Sequence, residues 1–152
     1  MTEAPVPACY RAPEAAEQIA LIAVSFEHLL GRPLVEPGDD VVAALWNAPD
    51  AIVAHGPEAD PVFFFGNRAA LTAFEANVDR FITLPSRLSA EAPQREERQM
   101  LLDRVSQDGF IDDYAGLRIS ATGRRFRIEQ AIVWNLVGAD GVRRGQAATF
   151  TV

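Results

Sequence analysis

A chain of 152 residues, 49% hydrophobic and 23% charged, can bury one core and is too short for two. Every basic residue is Arg, and against 21 Asp and Glu they leave a net charge of −7, which repels a phosphate backbone and argues against nucleic acid as a partner. The lone Cys9 excludes an internal disulfide, the first ten residues lack the basic start and apolar run of a secretory signal, and the apolar stretch 19–30 is broken by Glu27 and His28 and too short to cross a bilayer; a cytoplasmic setting is expected.

Residues 1–12 hold Pro5, Pro7 and Cys9 with no periodicity and are expected to form a flexible arm. Pro13 then opens a helix in which Ala16, Ile19, Ile22, Phe26 and the Leu29/Leu30 pair fall on one stripe until Gly31 stops it. Pro33, Pro37 and Gly38 mark a loop, Asp39 or Asp40 can cap a short helix through Trp46, and Pro49 ends it. Residues 13–48 thus read as an N-terminal helical segment ahead of a domain at 49–152. Residues 51–55 and 62–65 read as two short strands joined by a polar turn. Asn67 can cap a helix over 68–75, a further short helical piece is expected at 78–84, and 85–93 is a connector with Ser89 as a candidate cap. The next helix, 94–107, brings Glu97, Leu101 and Val105 near one face, with Met100 and Leu102 flanking, and Gly109 terminates it.

The last third alternates like three strands, 110–120, 125–137 and 145–152, separated by Ala-Thr-Gly and Ala-Asp-Gly turns, which predicts an antiparallel meander. If Ser120 pairs with Arg125, then Ile119 faces Phe126, Leu117 faces Ile128, Ala115 faces Gln130 and Ile111 faces Trp134, leaving Arg118, Arg127 and Glu129 on a solvated face. Carried across the second turn, this register sets Gln146 near Trp134 and Phe150 near Gln130. Two inward amides, Gln130 and Gln146, would need partners, and a bound ligand or the backbone and water at the sheet edge could supply them.

The runs FFFGNRAAL (63–71), LPSRLSAE (84–91), GFIDDYAGLRISATGRRFRIEQAIVWNLV (109–137) and GQAATF (145–150) resemble the MEKHLA domain family over roughly residues 14–152. That family occurs as stand-alone bacterial proteins and at the C-terminus of plant class III homeodomain-leucine zipper proteins, and is similar to PAS sensor domains. The resemblance implies an α+β fold: a PAS-like antiparallel sheet of about five strands with helices packed on one side and an N-terminal helical extension. It implies a sensory or interaction role and brings no catalytic site. Light-sensing flavin domains of this class use a Cys in the segment matching 84–89, where this chain has Ser86 and no Cys. Haem-binding members use a His on the helix before the meander, and 94–107 has none. Noncovalent binding of a flavin, a metabolite or a fatty-acid-like molecule stays open, as does an empty core serving as a pairing surface, so no cofactor is assigned.

Six residues stand as ligand-binding candidates: Asn67, Arg87, Tyr114, Gln130, Trp134 and Gln146. Each has a plainer reading: Asn67 as a helix cap, Arg87 as an exposed or ion-paired cation, Trp134 as core. His55, close to Glu58 and Asp60, could form an acid–base pair or a metal corner, but His28 is the only other imidazole and no metal set is expected. Asp112 and Asp113 are adjacent on a strand and point to opposite faces, so they are not paired carboxylates. The leading expectation is a noncatalytic domain that binds a small molecule, forms a homodimer through its N-terminal helix, and acts in trans on a signalling partner, with neither nucleic acid nor membrane involved. The alternative is a small enzyme with His55 or Asp113 as general base and Gln130 or Gln146 orienting the substrate.

Overall fold

The computed structural model describes residues 4–36, 38–89 and 95–151, the side chains of 95–99 and 102 apart. The expected helix start at Gln94, the connector end at Pro93, the loop residue Pro37, the strand end at Val152 and the side chains of Glu97 and Leu102 lie outside these.

Proline and glycine bound the longest helix as the sequence requires. Helix α2 (Pro13–Leu30), which follows a single turn α1 (Ala8–Arg11), begins on Pro13 and ends where Gly31, at φ 73°, returns its N–H to the Glu27 carbonyl. Its stripe of Ile19, Ile22 and Phe26 is fully buried. Asp40 caps α3 (Val41–Trp46) by accepting from the Ala43 N–H at 3.1 Å. The same carboxylate takes a two-pronged bond from Arg11, and these bonds, the Arg11 one foremost, hold it down at a pKa of about 2.

The strands β1 (Ala51–His55), β2 (Phe63–Gly66), β3 (Phe110–Ile119), β4 (Arg125–Val137) and β5 (Arg143–Phe150) form one antiparallel sheet in the order β2-β1-β5-β4-β3. Between β2 and β3 run α4 (Arg68–Phe74), α5 (Val78–Phe81), a 3-10 turn (Ser86–Ser89) and α6 (Arg95–Asp108). Alternate residues of the central strands serve opposite layers. Ile52, Ala54, Phe65, Trp134, Leu136 and Ala147 pack under α1, α2 and α3. Ala51, Val53, Phe63, Ile128, Ala131 and Phe150 pack under α4 and α5, and Ile111 and Val133 under α6. The sheet is therefore covered on both faces, with the N-terminal extension forming the second cover.

The register of the meander differs from the expected one. Ile119 pairs with Arg125, Arg118 with Phe126 and Gly116 with Ile128, one step away from the predicted pairs. At Gln130, φ is 52°, and two residues of β4, Glu129 and Gln130, oppose Ala115 alone between the Tyr114–Ala131 and Gly116–Ile128 pairs. This is a β-bulge, and a second shift between Ile111 and Tyr114 restores the register. The slip sends Arg118 to the α4–α6 face and leaves Leu117 41% exposed on the other. On β5, Gly145 crosses β1 so closely that a Cβ there would collide with the His55 carbonyl oxygen, at a φ of 145° that disfavours a side chain anyway.

The expected flexible arm is docked from residue 4 onward. Ala4 donates its N–H to Asn47 Oδ1 at 2.9 Å, and Tyr10 is 2% exposed against Phe65 and Trp46. The Tyr10 hydroxyl donates to the Gly66 carbonyl at 3.2 Å and accepts from the Gly66 N–H at 3.1 Å. A segment this short has no room for a periodic stripe, so a single aromatic anchor gives no pattern to read. Burial raises the Tyr10 pKa from 10.0 to about 12.

Tyr10→Phe should therefore lose about 1–3 kcal/mol of stability in urea, the cost of leaving buried backbone groups unpaired. Because the folded state binds the Tyr10 proton more tightly than the unfolded state, this contribution is complete below pH 10 and falls by about 2–3 kcal/mol as pH rises toward 12. With no Lys in the chain, the slope should be much reduced in Tyr10→Phe.

Candidate functional site

Between the sheet and α4–α6 lies a cavity of about 80 Å³. Phe63, Phe74, Leu101, Ile128, Val133 and Phe150 supply its apolar wall, and His55, Ser86, Ser89, Tyr114, Arg118 and Gln146 its polar one. The central strands place these groups because the same alternation that sends Trp134 under α2 turns Val133 inward. At the far end, the α4 terminus is tied to the β3–β4 turn: Glu75 Oε1 accepts from Ser120 Oγ at 2.6 Å, Thr122 Oγ1 at 2.7 Å and Arg124 Nε at 3.1 Å. Those hydrogen bonds, Ser120 first, hold the Glu75 carboxyl below its ordinary range.

The polar wall has a defined sense. Asn135 donates from Nδ2 to the Val105 carbonyl and accepts at Oδ1 from Arg143, so Gln146, 5% exposed, must turn its Nε2 toward that oxygen at 3.4 Å. Gln146 Oε1 is left as an acceptor with no hydrogen bond among the described residues. His55, the cross-strand partner of Gln146, sets Nδ1 2.9 Å from the Gly56 carbonyl, which fixes the proton on that nitrogen. Ser89 donates from Oγ to the Ser86 carbonyl at 2.6 Å. Tyr114 lies along β3 over the bare Cα of Gly116, and the Arg118 guanidinium stacks 5.2 Å from its ring centre.

Of the six ligand-binding candidates, the structure brings Tyr114 and Gln146 together at this cavity, beside the candidate base His55, and leaves the others elsewhere. Gln130, expected inward, is exposed on the bulge, because its left-handed backbone turns it out of the alternation. Trp134, also expected inward, is wholly buried on the opposite face, its ring 4.9 Å from Phe26 and its indole N–H donating to the Ile22 carbonyl at 3.2 Å. Arg87 is exposed and paired with Asp60 at 3.1 Å. Asn67 is fully buried and its amide is spent: Oδ1 accepts from Ile52 N at 2.9 Å and Ala70 N at 3.0 Å, and Nδ2 donates to the Leu45 and Asp50 carbonyls. The sequence reading missed Arg118 at the cavity, since a one-residue slip moved it from the solvated face. The carboxylates near His55 in sequence are engaged elsewhere, Asp60 by Arg87 and Glu58 by the Val62 N–H, and Asp113 is bound to Arg104 at 2.9 Å. Among the described residues no cluster of three His, Cys, Asp or Glu is placed to hold a metal.

Comparison with known structures identifies the class. A PAS domain from Colwellia psychrerythraea is similar with a TM-score of 0.59 at 16% identity, covering 70% of this chain and 88% of that one. The blue-light photoreceptor Vivid in its photo-excited form gives 0.62 at 12% identity, covering 93% of this chain and 98% of that one. The fold is that of PAS domains. The MEKHLA domain family matches residues 16–152, and the chain belongs to that family. Among curated relatives, the homeobox-leucine zipper protein ATHB-8 of Arabidopsis thaliana is 32% identical over 141 residues, 84% of this chain and 16% of that protein. REVOLUTA of the same plant is 28% identical over 132 residues, with the same shares. The chain thus spans only 16% of the length of these relatives.

A flavin does not fit here. Clefts for drug-sized ligands run roughly 300–1,000 Å³, against about 80 Å³ in this cavity. The one sulfur nucleophile, Cys9, is exposed on α1, beyond the opposite face of the sheet.

Asn67→Ala should cost at least about 3 kcal/mol in urea unfolding, because it removes a helix cap and leaves several buried backbone groups unpaired at once.

Proposed function

We propose that the chain is a noncatalytic sensory module, which binds a small molecule between the sheet and α4–α6 and passes its occupancy through the sheet to α2. One observation carries this reading: β4 and β5 present neighbouring residues to both compartments. Val133 and Ala148 line the cavity while Trp134 and Ala147, next to them in sequence, pack beneath α2. Trp134 is bonded to the α2 backbone at Ile22, and Ser25 of α2 accepts from the Val137 N–H at 3.1 Å. A ligand that shifts the cavity side of these strands moves the α2 side with them, since packed layers transmit displacement. The output acts in trans on a partner protein. Of the two bases that the enzyme reading names, His55 lines the cavity beside Gln146, and Asp113 is bound to Arg104.

A second copy is proposed to pair through the outer side of α2, where Val24 is 60% exposed one turn from Leu21. One neighbour, the fungal photoreceptor Vivid, is described as a light-state dimer, and its TM-score here is 0.60. Val24→Glu should convert a dimer to a monomer in analytical ultracentrifugation, with the thermal transition otherwise intact; an unchanged dimer excludes this face.

Native mass spectrometry of the intact protein, compared with its denatured mass, tests the sensory reading. A small molecule released on denaturation is the expected outcome. Substituting Ala148→Phe, which fills the cavity, should abolish that release; release unaffected by it would move the ligand elsewhere.

A further inference from the structure

Arg118 is set apart from the ion-paired arginines by its place at the cavity. Arg11, Arg87, Arg104, Arg124, Arg127 and Arg144 each hold a carboxylate within 3.1 Å. Arg118 sits half-buried at the cavity, stacked on Tyr114, and among the described residues no carboxylate pairs with it. A cation partly withdrawn from water without a counter-charge is costly, and a stacked guanidinium keeps its forked edge turned away from the ring and available.

We infer that the cavity takes a small aliphatic carboxylic acid, its carboxylate gripped by Arg118 over Tyr114 and its hydrocarbon part laid on Phe74, Ile128 and Val133. The inference rests on the sensory reading above and specifies its ligand. A planar carboxylate matches the guanidinium fork with two parallel hydrogen bonds. Arg118 is the one guanidinium among the lining residues and the rest of the wall is mostly apolar, which suits a monoanion with a short chain better than a phosphate. The volume of about 80 Å³ limits that chain to a few carbons.

The test titrates acetate, propionate and butyrate, together with neutral butyramide and inorganic phosphate, into the full chain and follows the amide resonances of Val133, Gln146 and Ala148. The acids should shift these resonances, with binding weakened about tenfold or more in Arg118→Gln and restored in part by Arg118→Lys, which keeps the charge without the fork. If butyramide binds as tightly as butyrate, or Arg118→Gln binds the acids unchanged, the acid is wrong while the cavity remains a ligand site. Phosphate binding more tightly than every acid also overturns it. Should no probe move these resonances while native mass spectrometry still finds a released molecule, the acid falls alone; if neither experiment finds binding, both readings fall.

Discussion

One extra residue in β4 decides where the side chains of half the sheet go. With Gln130 held at φ 52°, Ile128, Ala131 and Val133 share the face beneath α4–α6, while Trp134 and Leu136 turn to α2. An unbulged strand would keep Ile128 and Trp134 together, burying the indole in the cavity and depriving α2 of its largest contact. Both the hydrophobic cover of the N-terminal helices and the space on the other side depend on this local break in alternation.

How much of this was legible follows from the range of each signal. Caps and stops were readable because they depend on neighbours in sequence: Pro13, Gly31, Asp40, Asn67 and Gly109 all act where expected. The buried stripe Ile19, Ile22 and Phe26 was readable for the same reason. The bulge was not, since Gln is an unremarkable residue for a strand and its left-handed backbone is imposed by the pairing on either side of it. The bulge carried Trp134 and Gln130 into the expected site, and the one-step slip at the β3–β4 turn carried Arg118 out of it. Gln146 kept its expected face because the pairing across the second turn is also one step off, opposite Asn135 in place of Trp134. The docking of Tyr10 escaped notice because its partner, Gly66, lies far along the chain.

The site that results is modest in size and specific in chemistry. Most polar groups at its wall are oriented by bonds to the protein, as Asn135 orients Gln146 and Gly56 orients His55. What faces inward is therefore a fixed pattern, an acceptor at one end and a stacked cation toward the other, across an aromatic and aliphatic floor. Such preset polarity favours selection among small ligands by charge and length, with affinity limited by the small area available.

The Tyr10 anchor has a consequence beyond stability. Strand β2 is an edge of the sheet, and an exposed edge is a template for joining another chain strand to strand. Here the Tyr10 hydroxyl occupies both backbone groups of Gly66 at one end, while at the other Leu84 accepts the Phe63 N–H and Pro61 accepts the Ser86 N–H. At the opposite edge, β3 presents the exposed Asp112 and Asp113. Ribbon-like growth from this sheet is thus blocked by a tyrosine on one side and discouraged by charge on the other, and association is steered toward helix faces.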